Sequence, residues 1–467
     1  MENDEDSSQP TPFIKRTADS MPSVNSMRTL FSTLRTNATR VTRSRFVRDV
    51  AVMVGGTAAA QAITIATLPI ITRLYGPDAL GLLGVFKAVV VLLTPLSCLG
   101  YHIAIVIPKS DEDARRLVRL SLLLATGFSA VVAVLLLFMH VPLAAMIGFG
   151  ASGWYLLLIP IVVLTASVGG ILSQWLVRLD RFWALQTVSV GHSGLKAGAK
   201  VALGFVWPSG IVLIAVNAVA RVLKAFWFWI ITARDVWGLE PVGRDSPGMT
   251  DTRRLAREYR DFPIFQLPKA FAGRLGQAAP TLVLTALFGP AFAGFYELAR
   301  QIVKLPSKLM AQSISKVYRS RAAKMVQAGG NVSRDIARTT AGLLLLGVAP
   351  YGVIIAFGPV IFATVFGAEW DVAGHAARWL AIWYLFHVAV SPGSQALMVT
   401  RHLQFRLYWT IGANTAKIGA LVAGGIVTRD PIPAIAAYAM ASIAADAVLV
   451  SAALRKTRAM TGEKESV

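Results

Sequence analysis

Apolar runs of about 20 residues recur twelve times along this 467-residue chain. They lie near 49–72, 80–107, 117–139, 155–177, 184–207, 210–233, 262–288, 291–316, 336–357, 376–399, 404–427 and 432–454. A helix needs about 20 apolar residues to cross roughly 30 Å of hydrocarbon. In lipid every backbone N–H and C=O must be satisfied internally, which leaves helices and closed barrels as the only spanning structures. Runs this long exceed a spanning strand, so the pattern predicts an all-α polytopic membrane protein of about twelve transmembrane helices. Composition agrees: 55% of residues are hydrophobic and 15% charged, against about 25% charged in soluble domains. The fifth, seventh and eighth runs are only weakly hydrophobic.

Charge outside the runs orients them. Cytoplasmic loops of membrane proteins collect Lys and Arg. With the N-terminus inside, the inner segments hold Arg43, Arg45, Arg48, Lys109, Arg115, Arg116, Arg119, Arg178 and Arg181. They also hold the clusters Arg253 to Arg260 and Lys316 to Lys324, and then Arg401, Arg406, Arg455, Lys456 and Arg458. Only Arg73 and Arg429 fall on the other side. Both termini are therefore expected in the cytoplasm, and most of the net charge of +21 is an orientation signal. No signal-peptide pattern opens the chain. Residues 1–47 read as a disordered basic tail suited to anionic lipid headgroups, with no soluble domain to support nucleic-acid binding. The expected organisation is a first six-helix bundle over 48–233, a cytoplasmic linker over 234–261, a second bundle over 262–455 and a tail over 456–467.

An internal repeat supports two bundles. Ile71-Thr-Arg-Leu-Tyr-Gly-Pro-Asp-Ala-Leu-Gly81 aligns with Leu284-Thr-Ala-Leu-Phe-Gly-Pro-Ala-Phe-Ala-Gly294 at a constant offset. Thr72, Leu74, Gly76, Pro77 and Gly81 recur as Thr285, Leu287, Gly289, Pro290 and Gly294. Each copy joins the first and second helices of a half, and six intervening helices leave the halves in the same orientation. Parallel repeats of this kind surround a central cavity about an axis along the membrane normal. The same offset pairs Lys87 with Arg300.

The cations inside the runs carry the functional reading. Lys196 and Lys200 lie on the fifth, Arg221 and Lys224 on the sixth, Arg274 on the seventh, and Lys417 on the eleventh. On the eighth, Arg300, Lys304 and Lys308 repeat every fourth residue, which puts them on one helical face. A charge at the bilayer centre costs roughly 2.5–3.5 kcal/mol, so the deep ones together would cost on the order of 15–20 kcal/mol against lipid. They are expected to line an aqueous cavity for an anionic cargo. Lys87, Arg378, Lys269 and Lys308 lie near run ends, where snorkelling is the competing reading. Glu297 stands one turn from Arg300 and is either its ion-pair partner or an ion-coupling group. Asp446 is either an ion-coupling carboxylate or a buried partner for Lys417. His102, His192 and His387 read as interhelical hydrogen-bonding residues or as titrating groups. Trp154, Tyr155, Trp370, Trp379, Trp383 and Tyr384 read chiefly as an interfacial belt, with sugar stacking as the other reading.

Some classes are excluded and two, a multidrug exporter and a membrane glycan polymerase or ligase, remain as alternatives that fit less well. The single cysteine, Cys98, permits neither an internal disulfide nor a multi-cysteine metal site. No phosphate-binding glycine loop with Lys-Ser or Lys-Thr is present, so no nucleotide cofactor is expected. The outer loops are too short for an enzyme's catalytic loop, and a multidrug cation exporter would want an acidic cavity.

Pro69-Ile-Ile-Thr-Arg-Leu-Tyr-Gly-Pro77, Tyr101-His-Ile-Ala-Ile-Val-Ile-Pro-Lys109 and Asp111-Glu-Asp-Ala114 resemble the polysaccharide repeat-unit flippases of the Wzx type. So do Tyr259-Arg-Asp-Phe-Pro263, Gly294-Phe-Tyr-Glu-Leu-Ala299, Leu305-Pro306, Ser313-Ile-Ser-Lys-Val-Tyr318 and Arg321-Ala-Ala323. That family belongs to the multidrug/oligosaccharidyl-lipid/polysaccharide exporter superfamily, as does the alternative multidrug exporter. The resemblance covers roughly residues 48–455. It implies a twelve-helix carrier in the bacterial inner membrane that flips undecaprenyl-diphosphate-linked oligosaccharide for surface polysaccharides such as lipopolysaccharide or exopolysaccharide. Implied partners are the lipid-linked oligosaccharide, membrane lipids, and polysaccharide polymerase and chain-length proteins.

Overall fold

A computed structural model describes residues 47–146, 153–237, 249–327, 332–393 and 403–465. Contacts divide the chain at Gly55. Of the first unit only 47–55 are described, and they are helical. The second unit, Gly56–Val467, holds everything that follows.

Among the described residues the chain is helical throughout, with no strand. Helix α1 (47–66) leads into α2 (Leu68–Leu74) and α3 (Pro77–Ser97). Then come α4 (Tyr101–Ala104), α5 (Asp111–Met146), α6 (Leu158–Arg178), α7 (Phe182–Val206) and α8 (Gly210–Trp237). A short amphipathic α9 (Met249–Glu258) precedes α10 (Leu267–Phe288), α11 (Pro290–Gln327), α12 (Val332–Phe366) and α13 (Asp371–Ala389). The last two are α14 (Leu403–Thr428) and α15 (Pro431–Glu465). Each expected span falls on helical chain, the first and second on two helices each, though 394–399 of the tenth lie outside the described residues. So do 1–46 of the expected basic tail. The expected C-terminal tail continues α15 as helix as far as Glu465.

Eight of the described helices are long and apolar enough to cross a bilayer. The protein is a multi-pass membrane protein. Helices α7, α10, α11 and α13 are not among the eight, although they pack between them. Their polar and charged residues lower the mean hydropathy, and that is where the candidate site is built.

One expectation fails at its boundary. The second run was read as continuous over 80–107, yet α3 stops at Ser97. Leu99 and Gly100 both take positive φ, 48° and 82°, a left-handed pair that turns the chain out of the helix. Gly100 also lies close to Phe262, where a Cβ would stand 3.3 Å from the carbonyl oxygen. The loop that follows is tied down by Arg178, which donates to the carbonyls of Ile105 and Pro108 and to Asp111.

The apolar cores segregate by half. One cluster draws on α10 to α15 around Tyr296, Tyr351, Trp370 and Leu380. Two others draw chiefly on α2 to α9, around Phe86 with Val162 and around Leu117 with Trp175. The halves meet where α3 packs on α10 and α11. A Cβ on Gly81 would sit 1.8 Å from the Pro290 carbonyl oxygen, and one on Gly294 would sit 2.1 Å from that of Pro77. Gly81 and Gly294 are repeat equivalents, and so are Pro77 and Pro290. Each glycine thus touches the partner proline of the other copy, the reciprocity expected beside a two-fold axis. Only glycine permits backbones this close.

Four aromatic expectations change. Trp370 is not at an interface: it is fully buried and donates its Nε1–H to the Thr72 carbonyl at 3.2 Å. Tyr155, Trp383 and Tyr384 are buried as well. Trp154 is half exposed.

Candidate functional site

Six of the intramembrane cations line two cavities, and Arg300 forms an ion pair with Glu297. The first cavity, of about 450 Å³, lies between α6, α7 and α8. Helix α6 lines it with the small residues Thr165, Gly169 and Ser173, which leave room along one face. Helix α7 contributes Ser189, His192 and Lys196, and α8 contributes Asn217, Arg221 and Lys224. Spacings of three and four put each trio on one helical face. Among the described residues, none of Lys196, Arg221 and Lys224 forms an ion pair. The His192 Nδ1 donates to the Ala220 carbonyl at 3.0 Å, which ties α7 to α8 and leaves Nε2 as the ring's acceptor. Lys224 Nζ lies 5.6 Å from the Phe228 ring centroid. Lys200, one turn beyond Lys196, is buried and does not line this space. Its backbone carbonyl accepts from the Tyr75 hydroxyl at 2.9 Å.

The second cavity, of about 380 Å³, lies in the other half. Gln277 comes from α10, Lys304 and Lys308 from α11, Trp383, Tyr384 and His387 from α13, Asn414 and Lys417 from α14, and Tyr438 from α15. Lys308 donates to Gln61 Oε1 at 3.0 Å. Asn414 Nδ2 donates to the Ala272 carbonyl at 2.9 Å, and Gly276 leaves space for that amide. Asp446 accepts from Trp383 Nε1 and His387 Nδ1, each at 3.0 Å. Its direct partners are thus this indole and imidazole, and Lys417 Nζ stands 5.4 Å from the Trp383 ring centroid.

Arg300 lines neither cavity. It was expected to share a face and a role with Lys304 and Lys308. Instead its Nη2 donates to both Glu297 oxygens, at 2.8 and 2.7 Å. Thr281 donates to the same carboxylate, and Gly84 leaves room for it. Glu297 thus has two donors and forms a part-buried ion pair with Arg300, and of the stripe only Lys304 and Lys308 face a cavity. Arg274 is exposed and lines neither of the two cavities.

The residues that sequence reasoning missed are Asn217, Asn414 and Tyr438. Asn217 and Asn414 had a usable signal, since each lies three or four residues before a candidate cation on the same helix. His192, His387, Trp383 and Tyr384 were raised only as second readings, and their place at the cavities depends on how α7 and α13 pack.

A family model described as "polysaccharide biosynthesis protein" matches residues 46–318. The chain belongs to this family. A relative, the teichuronic acid biosynthesis protein TuaB of Bacillus subtilis strain 168, is 21% identical over 275 residues, 58% of this chain and 55% of TuaB. The chain thus spans about half the length of the curated relative it matches. Among solved structures, this family member superposes on the inward-facing conformation of a multidrug resistance MATE family transporter of the MOP superfamily. The TM-score is 0.68 at 15% identity, over 87% of this chain and 96% of that one. The lipid II flippase MurJ in an inward closed conformation gives 0.66 at 12% identity, over 86% and 87%. The polysaccharide biosynthesis family member therefore shares the helical fold of these two structures.

Proposed function

We propose that this protein is a flippase. It carries undecaprenyl-diphosphate-linked oligosaccharide repeat units across the bacterial inner membrane, with both termini in the cytoplasm, by alternating access through a cationic lumen. It acts as a carrier, without an enzymatic step. The observation that carries the reading is the first cavity, where Lys196, Arg221 and Lys224 face one space with no ion pair among the described residues. Three cations at membrane depth cost roughly 8–10 kcal/mol. A diphosphate at that position offsets the cost through charge-assisted hydrogen bonds, with Arg221 able to bind two oxygens at once. A cationic drug would add to the repulsion. TuaB's part in teichuronic acid biosynthesis and MurJ's naming as a lipid II flippase support a lipid-linked glycan as cargo. The basic inner loops support the orientation.

The driving force is consistent with an anion. An inside-negative potential of 100 mV assists export by about 2.3 kcal/mol per charge. The test is the double variant Arg221→Gln with Lys224→Gln in cells lacking the native copy. At equal protein level, surface polysaccharide should fall by at least about tenfold, the factor of a single lost charge-assisted contact, while lipid-linked repeat units accumulate. Unchanged export would refute the assignment.

A further inference from the structure

We infer that the second cavity is a binding site for an acidic sugar of the cargo, held by its carboxylate and by the apolar face of its ring. The inference rests on the flippase reading for the word cargo, though the site is argued from its own residues.

The two cavities differ in chemistry. The first pairs its cations with small and polar residues and a single aromatic, Phe228. The second pairs three ammonium groups, Lys304, Lys308 and Lys417, with three aromatic rings, Trp383, Tyr384 and Tyr438. An inorganic or lipid diphosphate has no use for aromatic planes, whereas a pyranose presents an apolar face that packs on one.

The planes are held in place. Trp383 is fixed by its edge, since Nε1 donates to Asp446 at 3.0 Å. Tyr384 packs against it with ring centroids 4.7 Å apart, and Tyr438 meets it edge-on at 5.5 Å. Lys417 stands over the same indole at 5.4 Å, so a ligand against Trp383 meets an apolar surface and a cation together. Asn414 and Gln277 line the same space and supply amides for sugar hydroxyls.

Charge sets the rest. Asp446 accepts from Trp383 and His387, and Glu297 is held by Arg300. No described carboxylate pairs with Lys304, Lys308 or Lys417 within 4.0 Å. Lys308 has the neutral Gln61 amide as a partner, so a neutral glycan would leave the three ammonium groups without a direct counter-charge. A sugar carboxylate answers them, and a cargo with a diphosphate at one end and a uronate in its glycan matches the chemistry of both cavities.

Saturation-transfer NMR on the full chain in lipid nanodiscs tests this with three soluble probes: a glucuronate-containing disaccharide, its neutral glucose analogue, and inorganic pyrophosphate. The acidic disaccharide should bind about tenfold more tightly than the neutral one, the factor of one charge-assisted contact. Lys304→Gln with Lys417→Gln should abolish that preference and leave pyrophosphate binding intact, which also verifies folding. Arg221→Gln with Lys224→Gln should weaken pyrophosphate and spare the disaccharide. Equal binding of the two sugars, or no binding of either, overturns the inference. So does a preference that survives loss of Lys304 and Lys417. If the sugar results hold while lipid-linked cargo is not transported, the flippase reading fails and the sugar site stands.

Discussion

Replacing Gly81 by alanine tests the junction of the two halves most sharply. The added Cβ would stand 1.8 Å from the Pro290 carbonyl oxygen and 2.6 Å from its carbon. Both are backbone atoms, so no rotamer change relieves the clash. A carbon and a carbonyl oxygen settle at about 3.3–3.6 Å, so α3 and α11 must part locally by roughly 1.5 Å. A gap of 0.5–1 Å already forfeits about a quarter to a half of each contact's attraction, and overpacking of this kind costs about 1–3 kcal/mol, occasionally more. Thermal unfolding in nanodiscs should show that loss. Gly127→Ala is the control, because a Cβ there meets nothing within 4 Å, and in a helix that exchange is neutral to stabilising by up to about 1 kcal/mol. Gly294→Ala should cost about as much as Gly81→Ala. The double variant should cost little more than either alone, because separating the helices once relieves both clashes and neighbouring sites are not additive. If Gly81→Ala unfolds like Gly127→Ala, or the two costs simply add, the reciprocal crossing is not the close contact described.

Glu297→Gln leaves the part-buried Arg300 without its carboxylate and should destabilise by about 1–3 kcal/mol in the same unfolding assay, whereas Glu297→Gln with Arg300→Gln should recover much of the loss. Arg178→Lys cannot reproduce a fork that reaches two carbonyls and Asp111. It should cost about 1–3 kcal/mol and raise proteolysis of the 105–111 loop. Tyr75→Phe removes the buried hydrogen bond to the Lys200 carbonyl and should cost about 1 kcal/mol by chemical denaturation.

Much of the architecture was legible because apolar length and charge asymmetry are read residue by residue. The repeat was legible too, and its Gly-Pro copies mark the place where the halves touch. The weak hydropathy of the fifth, seventh and eighth runs had a physical cause visible in sequence: α7 and α11 carry cavity-lining lysines, and α10 carries Gln277 and Arg274. What sequence could not supply was partnering across helices. The Glu297–Arg300 ion pair was one of two readings open in the sequence, and packing adds what the sequence could not, Thr281 as a second donor to the carboxylate and Gly84 as the space for it. Asp446 read as either an ion-coupling carboxylate or a partner for Lys417, and the fold gives it Trp383 and His387 as direct partners. Trp370 looked interfacial because it ends a run, but the turn at Gly367, with φ of 122°, precedes a short 3-10 turn, and the indole is buried where it reaches the Thr72 carbonyl. The break after Ser97 was hidden because Leu99 is apolar and leaves the run's hydropathy unchanged.

The central claim is that an anionic lipid diphosphate passes through a lumen whose first cavity is cationic. Its most direct test is reconstitution of the purified chain in vesicles carrying a fluorescent polyprenyl-diphosphate oligosaccharide, with translocation read as label reaching the far leaflet. The account predicts transfer by the native protein, a loss of about tenfold or more when Arg221 and Lys224 are both changed to Gln, and near-native transfer by Arg274→Gln. Equal transfer by the native protein and the Arg221, Lys224 variant would contradict it.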